Sequence, residues 1–270
     1  MGANEAYAVI RGAEAWRSTA TGPGKARAGV VVVHGFTGNP VSVRPLGQAL
    51  AARGYAVDVP RLPGHGTHWR DLARTGYVDW RQAVDEAVTA MRPRVERLAL
   101  VGLSMGGFLC LDAGLARQDD VDGVVSINAP FLDREGIVGR LAPFIARIIP
   151  SLPASAAGLA KNDAARPGVD EKAYATVPTR AAQSLLEQFP RVRAAAAGMK
   201  RPVLVVYSAQ DHSVAPANSR AMAQALGAAA EVLVLERSYH LAPLDLDAEL
   251  LTERIAAFVD GLAVAVTKRP

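Results

Sequence analysis

Serine 104 stands in the stretch Gly102-Leu103-Ser104-Met105-Gly106, with a further glycine at 107. An apolar run at 98–101 precedes it and a helical pattern at 108–116 follows, so the motif spans a strand-to-helix turn. A G-x-S-x-G in that setting is a nucleophile elbow. The chemistry demands these residue types. The hydroxyl must stand out on a tight, strained turn, and glycines two positions to either side let strand and helix approach closely.

A serine nucleophile needs a general base within hydrogen-bond reach and a carboxylate to orient that base. On such elbows the three follow in the order serine, acid, histidine. Of the five histidines, His34 and His65 lie beside glycine before the elbow and read as structural. His68 makes an H-x-x-H with His65, a poor metal signal without a third ligand. His212 directly follows an acid candidate, which suits it badly to serve Ser104. His240, in Ser238-Tyr239-His240 after the last strand, is the expected base. Asp211, after a strand ending near 208, is the expected acid. Asp245 and Asp247 come later than His240, and Asp247 reads as the N-cap of the last helix. Asp163 and Asp170 fall in an irregular stretch. The oxyanion requires two backbone N–H donors. They are expected from Met105, directly after the serine, and from Phe36 in His34-Gly35-Phe36-Thr37-Gly38.

A regular frame has to carry these residues. Apolar and β-branched runs predict strands at 29–34, 55–59, 97–103, 122–128, 202–208 and 231–235. Helical spacing predicts helices at 43–53, 77–91, 216–226 and 247–263. Val78, Ala83, Val84, Ala87 and Val88 are expected inward on the second of these. Leu250, Leu251, Ile255, Phe258 and Val259 are expected on or near the apolar face of the last. Such alternation implies the α/β class, a mainly parallel sheet with helices on both faces. With the elbow it implies the α/β-hydrolase fold.

Between 131 and 180 the rhythm breaks, with no clear strand and prolines at 143, 150, 153, 167 and 178. Long irregular excursions in compact domains are usually functional, and open α/β sheets bind ligands at their C-terminal edge. The expectation is a hydrolase core at 1–130 and 181–270, with a small cap inserted at 131–180. An aliphatic segment at 137–149, broken only by Arg140 and Arg147, is expected to line an apolar acyl tunnel through Ile137, Ile145 and Ile148.

The bulk composition is that of a globular chain: 270 residues, half of them hydrophobic, with a net charge of +4. Basic residues occur singly, without a run or an aromatic-interleaved stripe, which argues against nucleic-acid binding. The single cysteine, Cys110, excludes an intramolecular disulfide and reads as a small core hydrophobe. No signal peptide or transmembrane segment is read from the sequence, so a cytoplasmic location is expected. The chemistry implies no metal and no organic cofactor.

Taken together, the chain resembles the bacterial monoacylglycerol lipases and their close carboxylesterase relatives. The matching pieces are His34-Gly-Phe-Thr-Gly38, Arg61-Leu-Pro-Gly-His-Gly-Thr-His68, Gly102-Leu-Ser-Met-Gly-Gly107, Asn128-Ala129, Asp211 with Val214 and Pro216, and Ser238-Tyr-His240 with Asp245 and Asp247. The resemblance implies that Ser104, Asp211 and His240 act as a triad on a small-molecule lipid ester. It implies hydrolysis of monoacylglycerols to glycerol and fatty acid through an acyl-enzyme. General carboxylesterase activity on short- to medium-chain acyl esters is the alternative. It further implies a cap whose apolar outer surface makes transient membrane contact, and a cap glutamate that meets the glycerol head. Glu171, ahead of Pro178-Thr179, falls where that glutamate is expected.

Overall fold

The computed structural model describes residues 7–18, 26–133, 146–159 and 162–262. Its strands are β1 (Trp16–Ser18), β2 (Ala26–Val33), β3 (Ala56–Val59), β4 (Val95–Leu103), β5 (Gly123–Ile127), β6 (Ser151–Pro153), β7 (Thr176–Pro178), β8 (Val203–Ser208) and β9 (Ala230–Leu235). Its helices are α1 (Arg44–Ala52), α2 (Trp69–Leu72), α3 (Tyr77–Met91), α4 (Met105–Ala116), α5 (Thr179–Leu186), α6 (Phe189–Ala195), α7 (Ala217–Leu226) and α8 (Ala248–Gly261).

Seven strands form one sheet in the order β1-β3-β2-β4-β5-β8-β9. All neighbours run parallel except β1, which pairs antiparallel with β3. The residues explain why both faces are covered. In β2, Val30 and Val32 pack with Leu46, Leu50, Leu251 and Ile255 of α1 and α8. Val31 and Val33 point the other way, into a cluster with Trp80, Val84, Phe108 and Leu109 of α3 and α4. A strand buried on both faces reads as a continuous apolar run, because successive side chains alternate between two hydrophobic layers.

The expected core elements are present, with ends shifted by a few residues. β1 was not legible: three residues, Trp-Arg-Ser, show no alternation, and what holds them is pairing with β3 and a 2.8 Å ion pair between Arg17 and Asp58. Val78 is a correction. It is 75% exposed, because the buried stripe of α3 runs through Tyr77, Trp80, Val84, Ala87, Val88 and Met91. Leu250 likewise sits off the buried stripe of α8 and is exposed.

The stretch 131–180 also differs from expectation. It contains two strands, β6 and β7, which form their own antiparallel ribbon. Each is three residues long, too short to leave a period in sequence. From β7 the chain passes straight into α5 and then α6, whose Ala181, Leu185, Phe189 and Val192 join the core beside the elbow helix.

Candidate active site

Ser104 is the residue before α4, with φ 55° and ψ −124°. A non-glycine residue is costly in that region, and it persists only where the surroundings over-determine it. Here they do. The Ser104 amide donates to the Ile127 carbonyl at 2.8 Å. A β-carbon at Gly102 would run into the backbone of Gly106, and one at Gly106 into the carbonyl of Val33. The helix begins at Met105, earlier than the periodicity suggests, because these glycines bring α4 directly off β4. Met105 is therefore the first helical residue, where N–H groups have no intrahelical acceptor and the helix dipole favours an anion.

His240 Nδ1 lies 2.8 Å from Asp211 Oδ2. The Asp211 side chain is 1% exposed and its Oδ1 accepts the amides of Ser213 and Val214 at 2.8 and 2.7 Å. That leaves one oxygen to hold the imidazole at Nδ1, and His240 and Ser104 border the same recess. Burial by itself would lower the titration of His240; the carboxylates of Asp211, Glu171 and Asp163 outweigh it and raise it above the ordinary value. Asn128, in the left-handed region with φ 48°, ties the two loops together. Its Oδ1 accepts the Ser208 amide at 2.7 Å and its Nδ2 donates to the His240 carbonyl at 2.8 Å.

Across the elbow, an ideal β-carbon on Gly35 would lie 3.7 Å from Ser104 Oγ, so the loop after β2 runs against the serine. His34 orients it. Its Nε2 accepts the Leu62 amide at 3.1 Å, so Nδ1 must carry the proton and donate to the Gly35 carbonyl at 2.9 Å. That carbonyl shares a trans peptide plane with the Phe36 N–H, and fixing one points the other the opposite way. Burial pushes His34 down to about 4, which keeps it neutral. His65 is also held well below the ordinary histidine value by burial, and its Nδ1 donates to Pro63 at 3.0 Å. His68 caps α2 and stacks on Tyr7.

Two hollows meet at Ser104. One, about 460 Å³, has apolar walls that include Met105, Leu132, Leu159, Val177, Leu185 and Phe189. The other is a small recess of about 50 Å³ bordered by Thr37, Glu171, Tyr174 and His240. Glu171 reaches it because the segment ahead of β7 that carries it is tied to the loop after β2. Asn39 Nδ2 donates to the carbonyls of Glu171 and Lys172, and the Tyr174 amide donates to Thr37. Burial, opposed by nearby His240, pushes the Glu171 carboxyl up to about 7.

The expected acyl-chain residues fare differently. Ile137 and Ile145 lie outside the described residues. Ile148 is 66% exposed and is not part of the apolar wall, which corrects its assignment. Its place is taken by α5 and α6, which were not read from sequence; the apolar positions Leu185, Leu186 and Phe189 were the signal that could have found them. Asp247 stands at the N-cap position of α8, but its carboxylate accepts the Arg237 amide rather than capping the helix. His212 Nδ1 is engaged by Asp163 at 2.8 Å, and the ring is largely exposed.

A strained serine between β4 and α4, a carboxylate-held imidazole and a parallel sheet define the serine hydrolases of the α/β-hydrolase fold. Residues 24–247 match the family described as Serine aminopeptidase, S33 (Hydrolase_4), and the chain belongs to it. It is 35% identical to the thermostable monoacylglycerol lipase of Bacillus sp. (strain H-257) over 94% of this chain and 97% of that one. Among solved structures it resembles one from the LipS and LipT pair of metagenome-derived lipolytic enzymes. The TM-score there is 0.85 at 34% identity, over 94% of this chain and 99% of the other. The monoacylglycerol lipase of Paleococcus ferrophilus shares the fold, with a TM-score of 0.75 at 21% identity, covering 91% and 98%. Among the described residues, no helix is long and apolar enough to cross a membrane.

Proposed function

We propose that this protein hydrolyses carboxylic esters, with monoacylglycerols as its substrates, through an acyl-enzyme on Ser104. The observation that carries the proposal is the junction at Ser104 of a large apolar hollow and a small recess containing a carboxylate. An acyl chain suits the first, and a small polyol leaving group suits the second. The relatives' lipolytic activities point the same way.

In this reading His240 takes the Ser104 proton as the hydroxyl oxygen attacks the ester carbonyl. The amides of Met105 and Phe36 donate to the oxyanion. The tetrahedral intermediate collapses, the bond to glycerol oxygen breaks, and His240 returns the proton to that oxygen. Water, deprotonated by the same imidazole, then attacks the acyl-enzyme; fatty acid leaves and Ser104 regains its proton. Glu171 accepts hydrogen bonds from the glycerol hydroxyls. The stretch 131–180 serves as a cap over the site, with the exposed Ile148 and Ile149 on the surface that touches lipid. A cytoplasmic location belongs to the same proposal.

Turnover of mono-, di- and triacylglycerols of one acyl chain, beside p-nitrophenyl esters of rising length, tests this. Monoacylglycerol should be the best of the glycerides. Preference for short p-nitrophenyl esters with slow monoacylglycerol turnover would make the protein a general carboxylesterase. Assayed at pH 8, where the Glu171 carboxyl is ionised, Glu171→Ala should lower kcat/KM on monoacylglycerol by roughly ten- to hundredfold, the worth of a hydrogen bond to a charged group, and change the p-nitrophenyl ester little. Equal losses on both substrates would remove Glu171 from head-group recognition.

A further inference from the structure

Asp163 lies outside the Ser104–His240–Asp211 arrangement, yet it touches the residue following each of the two partners of the serine. Its side chain is 5% exposed. Oδ2 accepts the His212 amide at 3.1 Å and the Ser213 hydroxyl at 3.3 Å. Oδ1 faces His212 Nδ1 at 2.8 Å. Its own carbonyl accepts the Leu241 amide at 2.9 Å. His212 and Ser213 are the first two residues after Asp211, and Leu241 is the first after His240. One buried residue, arriving from the stretch after β6, therefore staples the acid loop to the histidine loop.

We infer that Asp163 is a positioning residue for the Asp211–His240 pair, setting the acid's carboxylate through the 211–214 turn and the imidazole through Leu241. The inference rests on the reading of Asp211 and His240 as acid and base. The geometry gives the mechanism. Asp211 Oδ1 is committed to the amides of Ser213 and Val214, so the orientation of Oδ2 follows that turn. The turn is short and its amides point at Asp211, so something outside it must hold it at the right distance from the histidine loop. Asp163 supplies that hold with three contacts to His212 and Ser213. The His212 ring is largely exposed and packs edge-on against Tyr239, the residue before His240, at 4.5 Å between centroids. The bridge is thereby closed on the histidine side as well. Charge adds to position. The carboxylates acting on His240 are Asp211, Glu171 and Asp163, and all three favour the imidazolium that forms as Ser104 is deprotonated.

The test is Asp163→Asn, which keeps size but loses charge and one acceptor. On a p-nitrophenyl ester, kcat is expected to fall roughly ten- to hundredfold, the scale of loss from a small misplacement of a catalytic group, while KM changes little. The acid limb of the kcat/KM profile, which reports the free-enzyme base, should move to lower pH because a charge that favours the imidazolium is gone. The thermal midpoint serves as the control. A lowered midpoint with unchanged kcat per folded enzyme and an unmoved limb would mean a structural role only and overturn the inference. Should Asp163→Asn fail to fold, His212→Ala at the exposed ring carries the test. It removes the 2.8 Å contact and should lower kcat several-fold at unchanged KM; an unchanged kcat overturns the inference. His240→Ala separates the two readings. Activity retained there overturns the base assignment and this inference together, whereas activity lost there but kept in Asp163→Asn overturns this inference alone.

Discussion

The carboxylate of Asp245 accepts the backbone N–H of Ala165 at 2.8 Å, joining points 80 residues apart in sequence. The same two oxygens accept the amides of Arg166, Tyr239 and Leu246, each at 2.8 Å. Tyr239 precedes His240. Asp245, which in sequence is only a late carboxylate beside the histidine, is thus a fully buried acceptor that clamps the histidine loop to the segment carrying Asp163 and Glu171.

Each Asp245 oxygen accepts two amides, so Asp245→Asn turns an NH₂ towards backbone N–H groups and leaves two of them without an acceptor. Each buried donor left unpaired costs about 1–3 kcal/mol, so a loss of unfolding free energy of at least that scale is expected. Urea unfolding followed by circular dichroism measures it. A stability equal to that of the parent would show that the clamp can be dispensed with.

Asp211→Asn is expected to do the reverse. The fold should persist while turnover drops by about four orders of magnitude, because the amide favours the wrong imidazole tautomer. Ser104→Ala should cost at least as much, since losing the nucleophile removes the whole covalent route whereas losing the acid only weakens it. Steady-state turnover per folded molecule separates these variants from Asp245→Asn. If Asp245→Asn had the larger effect on kcat, the acid would have to be reassigned.

Glu171 gives a stability that depends on pH with a definite sign. Its carboxyl titrates at about 7 in the fold against an ordinary 4.5, so the native state holds the proton to higher pH than the unfolded chain does. Stability is then fully present below about 4.5 and declines as pH rises through 7. Glu171→Gln removes the ionisation. It should match the parent at pH 4.5 and exceed it at pH 8, by at most about 3 kcal/mol. Thermal unfolding at the two pH values decides, and a parent as stable as the variant at pH 8 would show Glu171 to be better solvated than its surroundings suggest.

His34 acts with the opposite sign. It stays neutral down to about 4, whereas an unfolded histidine titrates near 6.5, so the unfolded state binds the proton first as the solution is acidified. Stability should decline as pH falls from 6.5 towards 4, by about 3 kcal/mol from His34 alone, with His65 adding in the same direction. Measured in Glu171→Gln, where the opposing carboxyl is absent, the decline should be monotonic. A flat profile between pH 7 and 5 in that variant would contradict the neutral, carbonyl-bonded assignment of His34.

What could be read from the sequence was what neighbouring residues impose on one another. Gly102 and Gly106 around Ser104 report a turn whose sterics are local, and the runs in β2, β4, β5 and β8 report burial on both faces of a sheet. The order of Ser104, Asp211 and His240 followed from the order of the strands that carry them, and the fold brings Asp211 and His240 to 2.8 Å. Three-residue strands such as β1 and β6 left no period to read. Ile148 is exposed where the sequence pattern places it in the acyl wall, because an aliphatic segment at helical spacing says that one face is apolar, not what that face meets. The surroundings of Asp245, Asp163 and Glu171 come from tertiary structure, even where the family resemblance already singled out Glu171. Each is a carboxylate in a loop, and its value depends on amides, hydroxyls and rings contributed from loops tens of residues away. Periodicity and turn chemistry encode contacts within a few residues; a buried charge is defined by the whole shell that closes around it, and that shell exists only once the chain has folded.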